Sequence, residues 1–213
     1  MMPFSLNLKR TLCSTIFLVF LLPVLVSAQS NPRRFQYMGT SVFSIPTGFT
    51  RSAMSYINDS GHSAALFSQS LLSGFIEVSM LRHMNDAEKG KNVTNFKLKM
   101  IEEDTLIPSI VWGVSDVNTQ LGSKVFYFAA SKSVETFGVT LHAGFYKDPV
   151  NTDKKAFFAF EKMIFPLVTV GAERIDDVDS YGIKLSPYPG LSLEIGQRER
   201  KEEFYNLNYY RSY

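Results

Sequence analysis

The 213-residue chain has one cysteine, Cys13, and it lies near the N-terminus. Beyond residue 28 no thiol remains, which excludes a disulfide framework and thiol catalysis there. Histidine is scarce. His62, His83 and His142 are the only three, none paired at i,i+4 and none with cysteine, so no metal site is expected. A Gly-x-Ser-x-Gly elbow is absent, as is any cofactor motif, and no cofactor is expected. Past residue 28 no apolar run approaches the roughly 20 residues that a membrane helix needs. No helical period of about 3.6 residues persists after residue 46. Net charge is missing too. Residues 1–28 hold Lys9 and Arg10 and no acid, which leaves twenty Lys and Arg against twenty Asp and Glu. With no basic cluster interleaved with aromatics, nucleic-acid binding is not expected.

What the chain does contain begins with Lys9 and Arg10, an apolar run from Ile16 to Val26, and Val26-Ser27-Ala28. A charged region, a short greasy one and a small-residue cleavage site predict a secretory signal peptide at 1–28. Cys13 precedes the apolar run, so a lipid anchor on it is not supported. An exported chain without disulfides fits a bacterial envelope better than a small extracellular module.

Downstream, polarity alternates residue by residue. In Val93 to Ile101, Thr94, Phe96, Leu98 and Met100 share one side, and Asn95, Lys97 and Lys99 the other. Phe137, Val139, Leu141, Ala143 and Phe145 likewise oppose Gly138, Thr140, His142 and Gly144. A period of two marks strands whose faces meet different media. Residues 29–46 read as an approach segment and 47–213 as one all-β domain of about twelve strands by turn signals such as Asp59-Ser60-Gly61 and Pro189-Gly190, among them a short strand from Ala156 to Glu161 broken by Pro166. The odd-numbered links are polar or charged, while the even ones carry serine, glycine and proline with fewer charges. That asymmetry, with an even strand count, predicts an antiparallel up-and-down transmembrane β-barrel. At the C-terminus Tyr205, Leu207, Tyr209 and Tyr213 share a face with Arg211, a pattern similar to the assembly signal of outer-membrane barrels. Outer-membrane lipid and the barrel assembly machinery are the partners this predicts.

Several stretches resemble the YjbH-like outer-membrane proteins associated with bacterial exopolysaccharide production. They are Ile45-Pro46-Thr47-Gly48, the block from Asn95 to Lys132, and the paired segments Pro166 to Asp176 and Ser186 to Arg200. Asn118-Thr119-Gln120 stands where that family usually has Gly-Thr-Gly. The resemblance implies a non-enzymatic barrel in the bacterial outer membrane. It also implies a part in exopolysaccharide export or assembly, with exopolysaccharide and its export proteins as partners.

If lipid covers the greasy face, Asn95, Lys97, Lys99, His142, Glu173, Lys184 and Glu194 point into the lumen, along with Gly113, Gly138, Gly144, Gly182 and Gly196. A lysine or arginine facing lipid at the midplane would cost about 2–4 kcal/mol, which sets that orientation. Lysines and glutamates of that lumen neutralise one another, which favours a packed interior over a narrow polar conduit. Two other readings stand beside this one. A barrel enzyme acting on lipid or glycan would bring His142 together with Ser109 or Ser115 and Glu173. A soluble periplasmic β-sandwich would bury Phe137, Leu141, Leu193 and Leu207 in a dry core. Asp176, Asp177 and Asp179 read as a solvated acidic loop rather than a cation site.

Overall fold

The structure, a computed structural model, describes residues 49, 51–59, 62–85, 88–147, 154–199 and 202–211. The expected signal peptide, the approach segment to residue 46, Ile45-Pro46-Thr47-Gly48 and Tyr213 lie outside them. Twelve strands are present among the described residues: β1 (Ser52–Asp59), β2 (His62–Leu71), β3 (Ile76–His83), β4 (Asn92–Ile101), β5 (Ser109–Ser115), β6 (Val125–Val134), β7 (Val139–Lys147), β8 (Lys154–Phe165), β9 (Val168–Ile175), β10 (Val178–Tyr188), β11 (Leu191–Arg198) and β12 (Glu202–Arg211). Each pairs antiparallel with its sequence neighbours, and β1 pairs with β12, so the sheet closes. Closure leaves no strand edge unpaired, the condition for a sheet to sit in hydrocarbon. No helix among the described residues is long and apolar enough to cross a membrane.

Alternation decides which face is which. Leu141 is 50% exposed and Leu207 49%, whereas Val111, Leu81 and Val93 are fully buried. On β6, Phe126 and Phe128 point out while Val125, Tyr127 and Ala129 are buried. Outward rings pack on one another along the wall: Phe128 stacks on Phe145 at 5.4 Å and Trp112 on Phe126 at 6.3 Å. A continuous exposed apolar surface of this size, on a barrel with a polar inside, is a lipid-facing surface. The soluble sandwich is thereby overturned, because Phe137, Leu141 and Leu207 lie on the exterior rather than in a core.

Three element boundaries differ from the sequence expectation. Gly138, expected on the inner face of β7, instead closes the short β6–β7 turn with a left-handed backbone, and Phe137 lies in that turn 70% exposed. β8 runs twelve residues to Phe165, not six to Glu161, because Pro166 and Leu167 form only a two-residue turn. The acidic loop at 176–179 contracts to Asp176-Asp177, with β10 beginning at Val178. The other turns follow their chemistry. Gly190 has a φ of 82°, and a Cβ there would meet the carbonyl oxygen of Tyr210.

Inside the wall, three glycines face aromatic rings directly across the ladder: Gly113 opposite Tyr127, Gly144 opposite Phe157 and Gly196 opposite Phe204. A Cβ at any of the three would collide with the facing ring. The glycine lets the ring lie flat on the neighbouring strand, so the ring shields a backbone that has no side chain of its own.

The β4–β5 link is pinned to the start of the β6–β7 hairpin turn. Glu103 Oε1 accepts hydrogen bonds from the Ser133 backbone N–H at 2.7 Å and from Lys132 Nζ at 3.2 Å. Partial burial pushes the Glu103 carboxyl upward, but the Ser133 and Lys132 donors outweigh it and hold its pKa below the ordinary glutamate value. A carboxylate whose folded pKa is depressed stabilises at pH above its unfolded value, and the contribution disappears as pH falls through the folded one. The Glu103 side chain is still 30% exposed, so screening limits the contribution to about 1 kcal/mol or less. Wild-type protein is therefore expected to unfold at higher urea than Glu103→Gln at pH 7, with the gap closing by roughly pH 3. An equal gap at both pH values would show that charge plays no part.

Candidate functional site in the barrel lumen

Because side chains alternate, every second residue of each strand projects inward, and the inward set is mostly small or polar. All seven residues expected there lie inside. Asn95, Lys97, His142, Glu173 and Glu194 are buried, and Lys99 and Lys184 are partly buried. Tyr205, Leu207 and Tyr209 of the expected assembly signal face outward on β12 and are exposed. Twelve strands enclose a wider interior than the eight that side chains alone just fill, and a narrower one than the 16–18 of aqueous porins. Additional chain enters from the links. Phe49, ahead of β1, packs against the buried cluster of Val111, Val125, Tyr127, Ala129, Phe157 and Ile175. Its ring lies 4.5 Å from Lys97 Nζ and 5.2 Å from Lys99 Nζ, an attraction that strengthens as water is excluded.

The charges are matched within the wall. Lys97 Nζ lies 3.0 Å from Glu77 Oε1 on β3, and Lys184 Nζ 3.5 Å from Glu161 Oε2 on β8. Arg198 Nη1 on β11 donates to Asp59 Oδ2 at the end of β1 at 2.8 Å, with Glu202 Oε2 3.7 Å away. Lys155 at the start of β8 holds Asp176. Isolated charges would be costly at side chains this buried, and pairing offsets that cost. Glutamate at 194 accepts from Asn206 Nδ2 at 2.9 Å. Glu173 is buried beside Ser180, and its Oε1 has no hydrogen-bond donor in reach among the described residues.

His142 finds a partner, though not either serine expected for it. Ser131 Oγ on β6 lies 2.8 Å from His142 Nδ1, and Glu161 Oε1 stands 3.9 Å from Nε2. Ser109 lies one strand further, opposite Ser131 in the ladder, and Ser115 instead bonds Asn95. Glu173 faces Ala159 rather than the imidazole. The Ser131–His142–Glu161 row fails as a hydrolytic site on three counts. The His–Glu separation exceeds a hydrogen bond, Ser131 is 2% exposed, and the backbone N–H groups around it belong to the sheet ladder, which leaves no oxyanion donors. It is a cross-strand polar contact between β6, β7 and β8.

Sequence reasoning missed Asp59, which it placed in a turn, and Glu161, because β8 was read as ending there. It also left Arg198 and Asn206 out of the lumen residues, although it set Asn206 on the face opposite Tyr205. Parity carried on from Glu194 puts Arg198 inside, and parity from Tyr205 puts Asn206 inside, so the signal was present. Their partners were not readable. Among the described residues no group of three His, Cys, Asp or Glu side chains is arranged to hold a metal ion.

No protein-family model and no curated protein matches the chain, so the YjbH-like resemblance rests on its own sequence blocks. Solved structures do match. A KdgM porin is similar over 76% of this chain and 98% of its own length, with a TM-score of 0.52 and 12% identity. A KdgM porin in complex with disordered oligogalacturonate aligns over 76% of this chain and 99% of its own, with a TM-score of 0.52 and 13% identity. At that identity the similarity extends to the fold and no further: this chain is a closed twelve-stranded antiparallel β-barrel of the architecture those porins have.

Proposed function

We propose that the protein is a non-enzymatic outer-membrane barrel that takes part in exopolysaccharide export or assembly at the cell surface, its lumen accommodating neutral rather than polyanionic sugar. The observation that carries this reading is the pairing of opposite charges inside a polar barrel with an apolar outer wall. Lys97, Lys184 and Arg198 each sit on a carboxylate. A polyuronate entering such a lumen meets cations already compensated and carboxylates that repel it. Neutral glycan hydroxyls can instead replace water on the serine, asparagine and glutamate oxygens of the wall. The solved neighbour described with oligogalacturonate supports a carbohydrate as the class of ligand, while the charge map of this chain favours an uncharged one.

Two measurements test the proposal. Deleting the gene is expected to reduce polysaccharide at the cell surface, and restoring the wild-type gene to recover it; unchanged amount and chain length would overturn the role. In proteoliposomes, swelling is expected to be faster in a neutral oligosaccharide than in an oligogalacturonate of equal length. The reverse order would remove the proposed selectivity.

A further inference from the structure

At the end of the barrel opposite β1's start and β12's end, the β5–β6 link (residues 116–124) is anchored by buried residues near its two ends, while 117–120, 122 and 124 stay exposed. Asp116 is 2% exposed and Ser123 6%. Leu121 packs against Ala64, Leu81 and Val93, the inward-facing residues at the same end of β2, β3 and β4. The link therefore lies over the mouth of the barrel and turns one side chain, Leu121, into it.

The fold-back is held by an identifiable latch. Asp116 Oδ1 accepts from the Gln120 N–H and Oδ2 from the Leu121 N–H, both at 2.7 Å, so one carboxylate fixes both sides of the bend. The Asp116 N–H in turn donates to Asn95 Oδ1 at 3.2 Å, and Ser115 Oγ donates to the same oxygen at 2.7 Å. Asn118 bridges to β4, accepting from the Thr94 N–H at 3.0 Å and donating to the Asn92 carbonyl at 2.7 Å. The bend places two non-glycine residues, Asp116 and Thr119, in the left-handed region at φ 54° and 55°. That conformation is disfavoured for residues with a side chain and persists only where surrounding contacts impose it. The Asp116 carboxylate fixes the shape of the bend, the bonds to Asn92, Thr94 and Asn95 dock it on β4, and Leu121 makes the apolar contact inside the mouth. Releasing the bend relieves that backbone strain.

We propose that residues 116–124 form a displaceable plug of the lumen, closed by the Asp116 latch and opened when Leu121 leaves Ala64, Leu81 and Val93. This rests on the proposed passage of sugar through the barrel, and it locates the control of that passage on the side away from the termini. The test uses the mature chain refolded in planar bilayers. Each variant is made with and without Phe49→Ala, since the Phe49 ring stands over Lys97 and Lys99 elsewhere in the lumen. Asp116→Ala is expected to raise the mean current several-fold. Paired cysteines, Ala64→Cys with Leu121→Cys, are expected to hold the current below wild type when oxidised and to release it when reduced. That arm keeps the native latch, so it remains informative if Asp116→Ala folds poorly. Wild-type current that neither the latch variant nor the cross-link alters would overturn the plug and leave passage standing. A barrel that forms the cross-link yet conducts in no variant and neither redox state would overturn both.

Discussion

Replacing Arg198 by alanine is expected to destabilise the barrel by about 3–5 kcal/mol, the range for stranding one member of a buried ion pair. Arg198 and Asp59 side chains are 2% and 3% exposed and bonded at 2.8 Å. They connect β11 to β1 across β12, at the seam where the first strand meets the last. Removing the guanidinium leaves the Asp59 carboxylate without its cation in an interior where water cannot screen it. Urea unfolding in micelles, followed by the fluorescence of the single tryptophan, Trp112, measures the loss. Removing both charges together, as Asp59→Asn with Arg198→Met, is expected to restore most of it, because the cost lies in the stranded charge rather than in a net gain from the pair. A single variant within about 1 kcal/mol of wild type would mean that water reaches the pair after all.

Phe128→Lys is expected to cost about 2–4 kcal/mol in lipid vesicles, the depth-dependent charge for a lysine on the lipid face near the midplane. Phe128 lies midway along β6, points outward and stacks on Phe145. Tyr188→Lys, at the end of β10 beside the Pro189-Gly190 turn, is the companion. Near the interface the same charge should cost about 0–1 kcal/mol. The difference between the two positions matters more than either value, since only a slab of hydrocarbon makes the penalty depend on height along the wall. Equal penalties would show that something other than lipid covers that surface.

About twelve strands, and the inward and outward sets of those whose polarity alternates, were legible because alternation is local; the wholly apolar Val125 to Ala130 gave no face. Once Phe96 faces lipid, Lys97 faces the lumen, whatever the rest of the chain does. Asn95, Lys97, Lys99, His142, Glu173, Lys184 and Glu194 could be placed inside on that ground alone. The errors fell where alternation says nothing. At Gly138 and Pro166 a turn one or two residues shorter or longer gives the same hydrophobic pattern on both sides. The partners considered for His142 under the enzyme alternative, Ser109 or Ser115 and Glu173, are not the ones that face it, because the facing residue depends on register between strands, which the sequence of any one strand does not contain.

By itself, then, the order of residues determined the kind of surface that the alternating strands present, and with it a barrel greasy outside and polar within, since that follows from neighbours along the chain. Only the tertiary structure decided that β1 closes on β12, that Arg198 meets Asp59 over 139 residues of chain, and that Leu121 of the β5–β6 link packs against Ala64, Leu81 and Val93. Those contacts join positions remote in sequence. They are fixed by the stagger of the strands and the width they enclose, and both arise only when the whole ring is assembled.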